Sequence, residues 1–242
     1  MRCKVYAHLS VLLLVCYSFL GTGCGHLNKL SSVKFRNSSV YSDYQLSADA
    51  ARGIVCLGYI SAKPIVKDSS HTFGQIINTI GTIGSTIATS SVESKIARSV
   101  SPDSLAWSVA SGFEQILERY ASVRPVNSIQ ANPEFIVETL LEHYELSSTQ
   151  FGVYANVEVT SRIIERSTGK KVWGNSESKT IELSNISPAG VFSPISRSVS
   201  GIVNMVQILS MSDEEVKGVL LAAAAEAGRK MGETFREDIS GE

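Results

Sequence analysis

Four histidines, four cysteines and 23 carboxylates are the raw material for chemistry in this chain of 242 residues. The histidines are His8, His26, His71 and His143, and none stands at metal-ligand spacing from another or from a cysteine. Glu134, Glu138, Glu142, His143 and Glu145 form the densest run of groups able to move a proton. General acid–base work needs two such groups in a specific mutual geometry, which this spacing does not show. The run reads as a solvated face. A hydrolase using scattered carboxylates is the second alternative reading, and its signature would be a deep pocket around Glu138, Glu142 and His143. Gly81-Thr82-Ile83-Gly84 lacks the Gly-Lys-Ser/Thr ending of a phosphate loop. No enzymatic activity, metal or cofactor is expected. Cys56 sits in an apolar run and reads as a buried, inert thiol.

The elements that must position these residues read as α/β. From Phe151 to Ile163 the apolar Phe151, Val153, Val157 and Val159 alternate with Tyr154, Asn156, Glu158 and Thr160, the period of a half-buried strand. Ser167-Thr168-Gly169-Lys170 then turns the chain, because Gly accepts positive φ without strain. Lys171–Leu183 is the return strand. The segment before this hairpin is ambiguous. Ile136, Val137, Leu140, Leu141 and Tyr144 have helical spacing, and Asn132-Pro133-Glu134 could open a helix, so from the residues alone 134–146 stays open between helix and strand. Gly53–Ile60 reads as the first core strand and Val123–Ile129 as a second, interrupted by Pro125. Helices are expected over 104–120 and 213–237, with Leu105, Val109, Phe113, Ile116 and Leu117, and then Val216, Val219, Leu220, Ala223 and Phe235, as their buried stripes. Ser212 caps the last helix, and Asp213, Glu214 and Glu215 suit the positive end of its dipole. Gly228 and Gly232 inside it imply close packing. The expectation is a twisted mixed sheet of four or five strands with a C-terminal meander, both helices on one face, and two charge-poor insertions at about 69–100 and 185–211.

The chain opens with Arg2 and Lys4, then a roughly ten-residue apolar run ending at Leu20, too short to span a bilayer. This reads as a signal peptide over 1–23. Leu20-Gly21-Thr22-Gly23-Cys24 resembles the lipobox of bacterial lipoproteins, although Gly21 stands where Leu is usual. The resemblance implies cleavage before Cys24 and lipid (palmitate) on it, and Gly25 in place of Asp implies the outer membrane and its periplasmic face. Cutting there leaves about 219 residues, with 20 basic against 23 acidic side chains, since only Arg2 and Lys4 are lost. That is enough for one domain, with no basic excess to suggest nucleic acid. Residues 24–51, rich in Ser, Asn and Tyr, read as a tether, and 52–242 as a single domain.

Glu134-Phe135-Ile136-Val137-Glu138 followed by Thr168-Gly169-Lys170-Lys171-Val172-Trp173 resembles a loose group of envelope proteins. The group takes in the Tol amino-terminal domain, the outer-membrane activators of peptidoglycan synthases, the auxiliary lipoproteins of ABC-type lipid transporters and the curli secretion channel subunit. The curli subunit is echoed around Ser167-Thr168-Gly169, Ser178-Lys179-Thr180-Ile181 and Ala189-Gly190-Val191-Phe192. The resemblance favours strand for 134–146 and implies an accessory role in envelope transport or assembly, or a self-assembling homo-oligomeric channel subunit. With no catalytic cluster, function is expected in protein contacts. From Ser69 to Val92 there is no charged residue, and Arg197 is the one charge from Asn185 to Ser212. Ile76, Ile80, Ile83 and Ile87 in the first stretch, with Ile202 and Val206 in the second, are the candidates for partner binding.

Overall fold

A computed structural model describes residues 26–58, 90–149, 152–183 and 208–241. The fold is mixed α/β, as expected. The strands are β1 (Leu27–Asn28), β2 (Ser39–Leu46), β3 (Val55–Gly58), β4 (Arg124–Pro125), β5 (Phe135–Thr149), β6 (Gly152–Glu165) and β7 (Lys170–Glu182). They form one sheet in the order β1-β7-β6-β5-β2-β4, with β3 also on β5. Five of the seven have four residues or more. The other two, β1 and β4, are two-residue strands that tie chain segments to the sheet. Residues 90–99 form helix α1, Pro102–Ala121 form α2 and Asp213–Ser240 form α3.

The 134–146 segment is strand, and its helical look has a physical cause. Phe135, Val137, Thr139 and Leu141 are buried, and then the phase changes to Tyr144, Leu146 and Ser148. Pairing with β6 runs Leu141↔Val159 and then His143↔Glu158, so Glu142 is an extra, bulged residue. A bulge moves the buried face from odd to even positions and imitates a three-to-four-residue spacing. Ser47 holds the bulge from the other side, its N–H on the Leu141 carbonyl (3.0 Å) and its Oγ on that of Glu142. There the neighbour of β5 changes from β2 to β3, both parallel to it.

Three expectations need correction. Residues 26–51 are not a tether. Leu30, Phe35, Val40 and Ala50 are buried, and β2 pairs with β5 over seven residues. The polar look of Ser39–Leu46 arises because only two-residue β4 covers the other edge of β2, so little of it beyond Val40 is enclosed. The strand expected over 123–129 is reduced to Arg124–Pro125, because Pro125 has no N–H for a ladder and a 3-10 turn begins at Ile129. The insertions are also shorter than 69–100 and 185–211. Val92, Ile96 and Val100 of the first, with Ile208 and Met211 of the second, are core residues.

Helices α2 and α3 lie parallel on one face of the sheet. Ser101 caps α2 through the Ser104 N–H, and Ser212 with Glu215 forms a full capping box on α3. Glycine sets their separation. A Cβ on Gly112 would sit 2.0 Å from the Ala225 carbonyl oxygen, and one on Gly228 would sit 1.9 Å from that of Val109. Beneath them, Val153, Val157, Val159, Val109, Phe113, Leu220 and Ala223 are buried together as expected; Phe151 lies outside the described residues. Phe113 stacks on Trp173 with centroids 5.5 Å apart, and Phe235 meets both edge-on.

The domain therefore has two ends. At the near end the chain enters at His26, β2, β5 and β7 begin, and α2 and α3 finish. Hydrogen bonds join these parts: Lys29 N–H to Val172 O, Asn37 N–H to Ala121 O, Arg124 N–H to Ser38 O and Arg166 N–H to Glu134 O. At the far end β3, β5 and β7 finish and α2 and α3 begin.

Candidate functional site

Cys24, Ile76, Ile80, Ile83, Ile87, Ile202 and Val206 all lie outside the described residues, as does His71. What the structure gives is the position of the flanks. The first charge-poor stretch lies between the end of β3 at Gly58, beside Ser148 of β5, and residue 90 of α1. The second lies between Leu183 and Ile208, which share an apolar pocket with Leu146, Met211, Val216 and Leu220. All four flanks are at the far end.

Lys95 ties these flanks together. Its Nζ donates to the carbonyls of Leu209 (3.2 Å) and Met211 and stands 3.7 Å from Asp213. Glu93, two residues earlier, accepts from the Cys56 N–H at 3.2 Å. The return points of both stretches and the end of β3 thus meet on α1. An open hollow beside it is lined by Ser90, Ser94, Lys95, Arg98 and Leu209. Cys56 is buried as expected, and burial, with Glu93 and Glu145 adding to it, pushes its thiol up to about 12.

The carboxylate run of β5 faces the side of the sheet away from the helices. Glu138 pairs with Arg162, Glu142 accepts from Thr160, and His143 Nε2 stands 3.8 Å from Glu145 Oε2. Glu145 in turn accepts from Asn156. These groups are strung along the strand, each joined to its own neighbour. Among the described residues no group of three or more His, Cys, Asp or Glu is placed to hold a metal, and no helix is long and apolar enough to cross a membrane.

A second constellation at the near end escaped sequence reading. Asp238, near the end of α3, accepts from Trp173 Nε1 at 2.6 Å with one carboxylate oxygen and meets His26 Nε2 at 3.0 Å with the other. Arg36 donates to a carbonyl in the last turn of each helix, Tyr120 O at 3.0 Å and Ile239 O at 2.9 Å. This fastens residues 26–36, the first described part of the chain, to its last helix.

No protein-family model and no curated protein matches the chain. Among solved structures it is similar to protein XCC0632 from Xanthomonas campestris, of family DUF330, at 9% identity over 89% of each chain with a TM-score of 0.39. It is also similar to PelC from Paraburkholderia phytofirmans, a dodecamer, at 14% identity over 74% of this chain and 89% of that one, with a TM-score of 0.26. Neither likeness bears on what this chain does.

Of the residues that sequence reading missed, Trp173 carried a signal, since a Trp just after a Thr-Gly turn is placed to enter the core. Asp238 and Lys95 carried none. Their partners are 65 and 114 or more residues away, and both lie outside the helices expected over 104–120 and 213–237.

Proposed function

We propose that this chain is a non-catalytic lipoprotein anchored through Cys24 at the periplasmic face of the outer membrane, and that it presents its two charge-poor stretches to a protein of an envelope transport or assembly system. One observation carries the reading: the flanks of both stretches share the far end, joined through Lys95, while the chain enters at His26 on the near end. An anchor beside one end and two apolar, Ser- and Gly-rich stretches that leave from the other would hold a partner at a distance from the membrane. The carboxylates of β5, each joined to its own neighbour, fit a structural use.

Photo-cross-linking in the native envelope from positions 79–89 tests it. Adducts to one defined envelope protein are the expected result, lost when Ile76, Ile80 and Ile83 are replaced by Ser. Adducts only between copies of this chain, with a discrete oligomer of the solubilised protein, would replace the adaptor with a self-assembling subunit. Hydrolysis of an envelope substrate, lost on Glu138→Gln, would overturn the non-catalytic reading.

A further inference from the structure

We infer that the near end is a basic docking face for the anionic headgroups of a phospholipid bilayer, so that the domain stands on the membrane with α2 and α3 directed into it. This rests on the lipid anchor proposed above. Two separate observations carry it.

The first is reach. His26 is held in place by Asp238 and Trp173, and β1 follows at once on β7. Only Gly25 separates Cys24 from His26, so their Cα atoms lie within about 7 Å of each other. An acyl chain on Cys24 puts the near end against the headgroups, with no tether to let the domain tumble.

The second is charge. Parallel α2 and α3 direct both negative helix ends to the near end, and Arg36, Arg119 and Arg236 answer them. That internal use does not account for Lys29, Lys34, Lys170 and Lys171. All four are exposed, none belongs to a helix that ends there, and among the described residues none has an ion pair. Lys29 and Lys34 flank the turn after β1, and Lys170 and Lys171 begin β7 beside it. Several carboxylates of this end are used internally: Glu134 by the Ser39 N–H, Glu165 by Thr168 and Asp238 by Trp173. Glu118, Glu233 and Glu237 remain exposed against them. At the far end Asp103, Asp213 and Glu214 are exposed at the helix starts, with Lys95 beside Asp213 and Arg98 exposed on α1. Among the described residues the exposed lysines are thus all at the end beside the anchor. Basic residues within a Debye length of an anionic leaflet are attracted to it, and salt removes the attraction.

The test uses the mature lipoprotein reconstituted in vesicles of phosphatidylethanolamine and phosphatidylglycerol, with a fluorophore on Ser31→Cys at the near end or Glu214→Cys at the far end, and a nitroxide on the lipid headgroup. The expected result is several-fold stronger quenching at position 31 than at 214. The difference should shrink in phosphatidylcholine vesicles, in high salt, and when Lys29, Lys34, Lys170 and Lys171 are all changed to Glu. Equal quenching at the two positions, or a difference indifferent to lipid charge, overturns the proposal while leaving the anchor intact. Mass spectrometry showing Cys24 without lipid overturns both. The phosphatidylcholine comparison needs no lysine substitution, so it decides the matter even if the fourfold variant does not fold.

Discussion

Single side chains here are tuned mainly by burial. The Cys56 thiol, raised from 9.0 to about 12, keeps its proton in the folded chain long after an unfolded thiol has lost it. Its contribution to stability is therefore full below about pH 9 and is lost as pH rises toward 12. In a chain whose other cysteines are Ser, an aromatic disulfide reagent at pH 8 should leave Cys56 untouched until denaturant is added. Fast reaction of the folded protein would contradict its burial. Asp238 contributes through a hydrogen bond instead. Asp238→Ala strips the buried Trp173 indole of its acceptor, which costs roughly 1–3 kcal/mol for an unpaired buried donor. It also frees residues 26–28. Chemical denaturation should show the loss, and the Lys29 amide, bonded to Val172 O, should exchange faster than amides in the middle of β6.

At the scale of elements, two contacts decide the architecture. Gly228→Ala places a methyl against the Val109 carbonyl, backbone that cannot give way, and should cost about 1–3 kcal/mol or more by overpacking. Gly218, on the same helix with open space around it, should respond to the same change with a gain of about 0.5–1 kcal/mol. Melting the two variants side by side separates packing from helix propensity. Deleting Glu142 should be tolerated, since it removes only the extra residue and leaves Tyr144, Leu146 and Ser148 opposite Val157, Ala155 and Val153 on the core face, whereas inserting one more residue there turns them out, or else Phe135, Val137 and Leu141. A soluble, folded deletion and an insoluble insertion are the expected outcomes, and the reverse would refute the bulge. These contacts also explain what could be read in advance. The β6–β7 hairpin and both long helices follow from local period and caps, so they were legible. The bulge in β5 hid a strand behind a helical spacing. Strand β2 escaped because its ladder runs to Phe135–Leu141, some 95 residues on. The candidate site was legible only as two charge-poor stretches; that their flanks meet on Lys95 is a fact of the fold.

Across the whole molecule one core joins residues from Leu30 to Ile239, so unfolding should be a single event. The two tryptophans allow a check: Trp107 is 57% exposed and Trp173 fully buried. In Trp107→Phe, thermal loss of tryptophan fluorescence should coincide with loss of helical circular dichroism. Separated transitions would mean that the helices and the sheet melt independently. The clasp between His26 and Asp238 spans 212 positions, and it sets a schedule as well as a shape. A chain grows from its amino end, so the first described segment has to wait, unfastened, until Asp238 has been made. Bringing such distant ends together is the slowest kind of contact for a chain to find. During that wait Phe35 and the strand that follows it lack part of their cover. A helper that shields newly made chains would have its longest opportunity there, and a stop codon before Asp238 would leave the protein permanently in that unfinished state.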